Sequence, residues 1–233
     1  MTAIAASIST SSAHATSKLQ TGYESRFGWS ELYVLGSVKG DRIRVGYSEE
    51  DQAVLVADAS GVRALDDGCE VVSKTRAECF SRPSSLVVEV ASISGSDHVT
   101  FGRQLDAVYA SVEGGDGDDT LVSTTRKATP QLDGEAGDDL IRGGEGIDYL
   151  YGGTGRDVLL AGGGDDLLYG DQGSDVLVGG DGIDALSGDE GPDVLRTADG
   201  YIEEKIDCGT GRDLAAVDSI DPRPIGCERR RRG

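Results

Sequence analysis

The chain has 233 residues and a net charge of −20, from 42 acidic side chains against 22 basic ones. That balance repels the phosphates of nucleic acids and the headgroups of anionic membranes, which argues against both as partners. No run of about 18 apolar residues is present to span a bilayer as a helix, and the length suits one elongated domain or two small ones.

Residues 1–20 are rich in Ala, Ser and Thr, and Ala13 to Ala15 read like a small-residue cleavage site. The segment lacks a basic start and its apolar run breaks early, so it reads either as the remnant of an export signal that begins upstream or as a disordered tail. Residues 21–110 hold short apolar or alternating runs, ELYVLGS, DRIRVGY, AVLVAD, EVV and SLVVEV, between clusters of Gly, Asp and Ser. Strands and turns are expected there, with no helix. Asp97 with Val99, and Asp106 with Val108, keep an Asp, any residue, aliphatic pattern that returns more fully downstream. Residues 21–110 are therefore expected to lead into the downstream fold and cap its N-terminal end.

From Gly134 to Arg196 seven blocks of nine residues follow one another without insertion or deletion: GEAGDDLIR, GGEGIDYLY, GGTGRDVLL, AGGGDDLLY, GDQGSDVLV, GGDGIDALS and GDEGPDVLR. Each has Gly at the fourth place, Asp at the sixth, and Ile or Leu at the eighth; six of the seven have Gly at the first. An earlier copy, GGDGDDTLV, begins at Gly114, 20 residues before the array, and a later one, CGTGRDLAA, begins at Cys208, 20 residues after Gly188. The glycines let the first six places turn through positive φ at little steric cost, so that half is loop. Places seven to nine are β-formers around an always apolar centre, which is a three-residue strand with its eighth side chain inward and its seventh and ninth outward. Two blocks then make one 18-residue coil, and blocks two apart stack. The expected core is a ladder of Leu121, Ile141, Leu150, Leu159, Leu168, Leu177, Leu186 and Leu195.

This nine-residue period resembles that of the RTX, or haemolysin-type, calcium-binding repeat family. The resemblance implies an all-β fold, a parallel β-roll over residues 111–216, with the β-rich region 21–110 before it and residues 217–233 as a disulfide-tethered cap and basic tail. In that family calcium lies between loops two blocks apart, held by the sixth-place Asp and by backbone carbonyls. Carried over here, the ligands are Asp119, Asp139, Asp148, Asp157, Asp166, Asp175, Asp184 and Asp193, with Asp213 as a further candidate in a capping copy. Five ions are expected between the seven contiguous loops, and up to seven with the flanking copies. The charge agrees: 19 acids stand against 5 bases between Gly114 and Arg196, and carboxylates about 5 Å apart repel by roughly 3 kcal/mol at an effective dielectric near 20. Calcium takes six to eight oxygens, and glycine-rich loops offer carbonyls beside the carboxylates. The departures are Glu135, Asp171 and Asp189 at the second place, Ala161 at a first place and Pro192 at a fifth. Asp tolerates left-handed angles and Pro removes only a donor, so these loops are expected to survive.

Four cysteines with spacings of ten and nineteen and no neighbouring His argue for two disulfides over a zinc site. Of three possible pairings, the short loops Cys69 with Cys79 and Cys208 with Cys227 are preferred, one at each end of the coil. The Cys208 to Cys227 ending is also similar to that of small secreted actinobacterial calcium-binding repeat proteins. The closing run, Arg229 to Arg232, reads as a solvated basic tail.

Catalytic motifs are missing: there is no HExxH and no GxSxG, and His14 and His98 stand isolated. The favoured function is that of a secreted, extracellular calcium-binding repeat protein, not an enzyme, that folds on binding calcium and acts as a structural, adhesive or interaction module. A protein or cell-surface partner could use the outward Tyr149, Tyr151, Leu167 and Tyr169, unless these are simply β-formers on a half-exposed sheet. The alternative is a secreted hydrolase with an unfamiliar active site in residues 21–110 and the repeats as its folding and export appendage.

Overall fold

The computed structural model describes residues 19–26, 29–35, 40–48, 53–58, 62–64, 69–73, 76–79, 86–92, 94–102, 109–126, 129–197, 200–227 and 229–232. Every regular element among them is a β-strand, as expected. The strands form two sheets, and within the repeats the chain alternates between them, so strands one coil apart pair in parallel. The first sheet runs through Leu86–Ala91, Tyr109–Glu113, Pro130–Asp133, Tyr149–Gly155, Leu167–Gly173, Ala185–Ser187 and Lys205–Asp207. The second runs through Arg42–Ser48, His98–Phe101, Thr120–Ser123, Leu140–Arg142, Val158–Gly163, Val176–Asp181, Val194–Arg196 and Leu214–Val217. This is the parallel β-roll that the block pattern predicts.

The core lies between the sheets and is one side chain wide from each. Leu121, Ile141, Leu159, Leu177, Leu195 and Ala215 stack in register on one side. Leu132, Leu150, Leu168, Leu186 and Ile206 stack on the other. All are at most 1% exposed, so each Leu or Ile contributes close to the full 1.5–3 kcal/mol or so that burying such a side chain gives. Leu132 was not read from the sequence. It comes from the irregular stretch between Ser123 and the unbroken array, whose strand Pro130–Asp133 fills the ladder position between Val112 and Leu150. Both 20-residue offsets keep the same register, Leu121 opposite Ile141 and Leu195 opposite Ala215, so the two extra residues are absorbed in the loops.

The roll extends upstream of Gly114. Val99 pairs with Leu121 and Ile43 pairs with Val99, both fully buried, which bears out Asp97 with Val99 as a worn block. Asp106 and Val108 lie outside the described residues; the ladder place after Val90 is taken by Val112. Pairing turns antiparallel at the N-terminal end, where Leu19–Arg26 meets Trp29–Leu35 and Arg42–Ser48 meets Ala53–Asp58. Hairpins stop a parallel stack from offering another coil-shaped edge.

At the other end Cys208 and Cys227 form the expected disulfide. Ile225 hydrogen-bonds in both directions with the strand edge at Ile206 and Cys208, closing the first sheet. The expectation for Arg229–Arg232 is corrected: they are a strand, parallel to Leu214–Val217, closing the second sheet. An unpaired row of backbone groups attracts the next available segment, whatever its charge. Cys69 and Cys79 face each other in the antiparallel register, but their side chains lie outside the described residues.

Candidate metal centre

The loop of each block is shaped by its glycines. Fourth-place residues such as Gly137, Gly155 and Gly182 have φ near 140°, a region closed to other residues. A Cβ on any of them would collide with the carbonyl of the fourth-place Gly one coil earlier, so close stacking of backbone on backbone is what the position selects. Second-place residues other than Gly144 have positive φ, and Glu135, Asp171 and Asp189 keep that conformation at φ 68°, 64° and 64°. Pro192 is exposed and leaves its loop intact, with Gly191 at φ 128° and Asp193 still buried. The departures therefore survive as expected.

The turn directs each sixth-place Asp inward. Asp119, Asp139, Asp157, Asp175, Asp193 and Asp213 lie along one side of the roll, and Asp148, Asp166 and Asp184 along the other; all are at most 3% exposed. Every one of these carboxylates except that of Asp148 reaches back one coil. The Asp139 N–H donates to Asp157 Oδ1 at 2.8 Å, Asp157 to Asp175 and Asp175 to Asp193 at 2.9 Å, and Asp193 to Asp213 at 2.9 Å. Across the roll Asp148 donates to Asp166 at 2.8 Å and Asp166 to Asp184 at 2.9 Å. Two further members were missing from the sequence-derived ligand set. The Asp97 N–H donates to Asp119 Oδ1 at 2.7 Å, and the Asp41 N–H donates to Asp97 Oδ1. Their signal was present in weak form, an Asp two residues before an aliphatic one, as in Asp41 with Ile43.

In seven of these carboxylates one oxygen is committed to the backbone and the other is not. The Oδ2 atoms of Asp119, Asp139, Asp157, Asp166, Asp175 and Asp193 are buried without a hydrogen-bond partner. For Asp148 the roles are exchanged, because Oδ2 accepts the Gly144 N–H at 2.6 Å and Oδ1 is left over. The free oxygens face a cradle that first-place glycines keep open. A Cβ at Gly152 would lie 2.7 Å from Asp157 Oδ2 and 2.7 Å from the carbonyl oxygen of Gly170. At Gly170 the same point is 2.8 Å from Asp175 Oδ2 and 2.8 Å from the Gly188 carbonyl, and at Gly188 it is 2.6 Å from Asp193 Oδ2 and 2.6 Å from the Cys208 carbonyl. Among the described residues no three His, Cys, Asp or Glu side chains converge, so the oxygen set is a carboxylate from each loop with backbone carbonyls. Such a set fits a hard cation that takes many oxygens and fits zinc poorly.

Burial raises the carboxyl pKa values of this ladder. Asp119, Asp139, Asp148, Asp166 and Asp175 are pushed up to about 7, and Asp157 and Asp193 to about 6, by loss of water first. Neighbouring carboxylates add to the rise, as Asp157 and Asp193 do at Asp175, while the N–H bonds oppose it. Unpaired buried carboxylates are poor anions, and an added cation would relieve them.

The family model of the RTX calcium-binding nonapeptide repeat matches four copies, at residues 111–124, 131–150, 142–177 and 178–200. Residues 111–200 are RTX calcium-binding repeats. RTX repeats bind calcium, and the cradle geometry above gives this array a physical means of doing so. A comparison with curated proteins finds no match. The RTX copies take in eight of the nine candidate aspartates; Asp213, like Asp41 and Asp97, lies beyond the matched residues but on the same hydrogen-bonded ladder.

Proposed function

We propose that this chain is an extracellular, non-enzymatic protein whose RTX array folds on binding calcium and then serves as a structural, adhesive or interaction module. The observation that carries the reading is the buried carboxylate oxygen left without a hydrogen-bond partner on each of Asp119, Asp139, Asp148, Asp157, Asp166, Asp175 and Asp193, beside stacked carbonyls. Asp119, Asp139, Asp148, Asp157, Asp166, Asp175, Asp184, Asp193 and Asp213 supply the carboxylates. The hydrogen-bonded pairs 139/157, 157/175, 175/193, 148/166 and 166/184 account for five ions, and the pairs 119/139 and 193/213 bring the number to seven. Calcium supplies the positive charge that turns repulsion between adjacent loops into bridging. The chain supplies the rest: glycine angles hold the loops open, N–H groups orient each carboxylate, and the leucine ladder keeps the coils stacked.

Extracellular calcium modules bind at roughly 0.1–1 mM, far above cytosolic levels, so the array stays unfolded inside a cell and folds outside. The Cys208–Cys227 bridge supports an oxidising compartment. The non-enzymatic reading rests on the commitment of the repeated aspartates to the ladder; a panel of hydrolase substrates with the full chain tests it. The outward Tyr and Leu face of the first sheet is where a partner would dock.

A calcium titration followed by circular dichroism tests the main reading. β-structure should rise cooperatively, since the loops that share an ion are a whole coil apart. Asp157→Ala with Asp175→Ala should raise the calcium midpoint and split the transition, because both lie in the middle of one stack. Persistence of the β-signal in excess chelator at neutral pH, or full replacement of calcium by magnesium, would overturn it.

A further inference from the structure

The two outer faces of the roll are unlike. On the second sheet the seventh and ninth places and their equivalents, from Arg42 through Ala216, include no acid. Exposed Arg44, Arg142 and Arg196 stand there around a half-buried aliphatic centre made by Val158, Leu160, Val176 and Val178. On the first sheet the equivalent places carry Glu113, Asp133 and Asp207 around Tyr149, Tyr151, Leu167 and Tyr169. Tyr151 and Tyr169 stack with centroids 5.4 Å apart and planes 8° apart, forming a flat ledge. In a chain of net charge −20, an acid-free face is not what random placement gives.

The faces also match in height. Asp133 and Arg142 belong to one coil, Tyr151 and Leu160 to the next, Tyr169 and Val178 to the one after, and Arg196 lies between the levels of Ser187 and Asp207. Two rolls side by side with parallel axes would therefore set the aliphatic centre level with the tyrosine ledge and Arg142 level with Asp133, within reach of its long side chain. Neither Arg142 nor Arg196 has an ion-pair partner among the described residues, whereas Lys205 already holds Asp207 at 3.0 Å.

We propose that the calcium-loaded roll associates with further copies of itself, the outer face of the second sheet of one copy resting on the outer face of the first sheet of the next. The inference rests on the calcium-dependent fold proposed above. The contact is heterologous, using two different patches, so it leaves a free face at each end and continues as an open stack instead of closing as a dimer. Apolar contact supplies the attraction, and the Arg and carboxylate flanks set register and weaken as salt screens them.

The test is sedimentation of the full chain in saturating calcium, with circular dichroism on every variant. Average mass should climb with concentration past the dimer and fall in high salt. Arg142→Glu with Arg196→Glu should weaken association about tenfold, as should Glu113→Lys with Asp133→Lys. Mixing the two variants should restore it, because the reversed faces are complementary to each other. Should the second variant lose its calcium-bound fold, Glu113→Lys alone takes its place. A wild-type chain that stays monomeric when folded, a plateau at the dimer, or association untouched by both reversals would overturn the proposal. Failure of calcium to raise β-structure would instead remove the reading beneath it.

Discussion

At the first place of a block, a single methyl group would enter the space that a carboxylate oxygen and a carbonyl oxygen face together. Gly170, in the middle of a stack, is one such case, with both oxygens 2.8 Å from where a Cβ would sit. The carbonyl belongs to stacked backbone and cannot move cheaply, so the carboxylate of Asp175 would be displaced. Ala161 occupies a first place in the native chain and is fully buried, so the fold tolerates the methyl there. Gly170→Ala should therefore leave the calcium-saturated fold intact and cost about 1–3 kcal/mol of calcium-linked stability, as overpacking of close-fitted sites does. A calcium titration of the variant by circular dichroism measures it, and an unchanged midpoint would show that the cradle is not part of the site.

A three-residue strand such as Leu140–Arg142 or Val194–Arg196 has no stability of its own and depends on the strands one coil away. The terminal coils have such support on one side only, which makes the ends the weak points of a one-dimensional stack. The N-terminal end turns to antiparallel hairpins, and the C-terminal end is closed by Ile225, by Arg229–Arg232 and by the Cys208–Cys227 bridge. A bridge spanning a sequence separation of 19 stabilises by about 3 kcal/mol in the chain-entropy model. Cys208→Ser with Cys227→Ser should accordingly fray residues 205–217 first while the central coils hold. Hydrogen exchange in saturating calcium should show protection falling there and not at Leu159 or Leu177.

Over the whole molecule, protons and calcium compete for one set of buried carboxylates. The ladder aspartates, at about 6 to 7 when folded without metal, compare with an ordinary value of 3.8. Because the folded value is the higher one, the metal-free fold binds more protons than the unfolded chain between pH 4 and 7. Its stability is therefore fullest below about pH 4 and is lost as pH rises through about 7, the reverse of a salt-bridged carboxylate. In calcium-free buffer the array should therefore gain β-signal as pH is lowered from 7.5 to near 4. The calcium midpoint should rise as pH falls through the same window, since binding must then expel protons. A metal-free array more stable at neutral pH than in acid would refute the linkage.

The local half of this architecture was legible in the residues. Glycine at fixed places allows only one kind of loop, alternation around the eighth place gives the strand, and the nine-residue period stacks Leu150, Leu168 and Leu186 without reference to anything distant. The Asp ladder from Asp119 to Asp213 follows from the same period. Tertiary structure alone decided what depends on register across a coil. Leu132 and Asp41 lie in stretches whose period has decayed, and they join the core and the ladder because the backbone there continues to pair with the strand one coil away. The Arg229–Arg232 strand is placed by the open edge it covers, a property of its neighbour and not of four arginines. The unlike charges of the two outer faces likewise arise only once strands 18 or 20 residues apart are aligned, since no window of the chain shorter than a coil contains both Arg142 and Arg196 or both Asp133 and Tyr151 as neighbours.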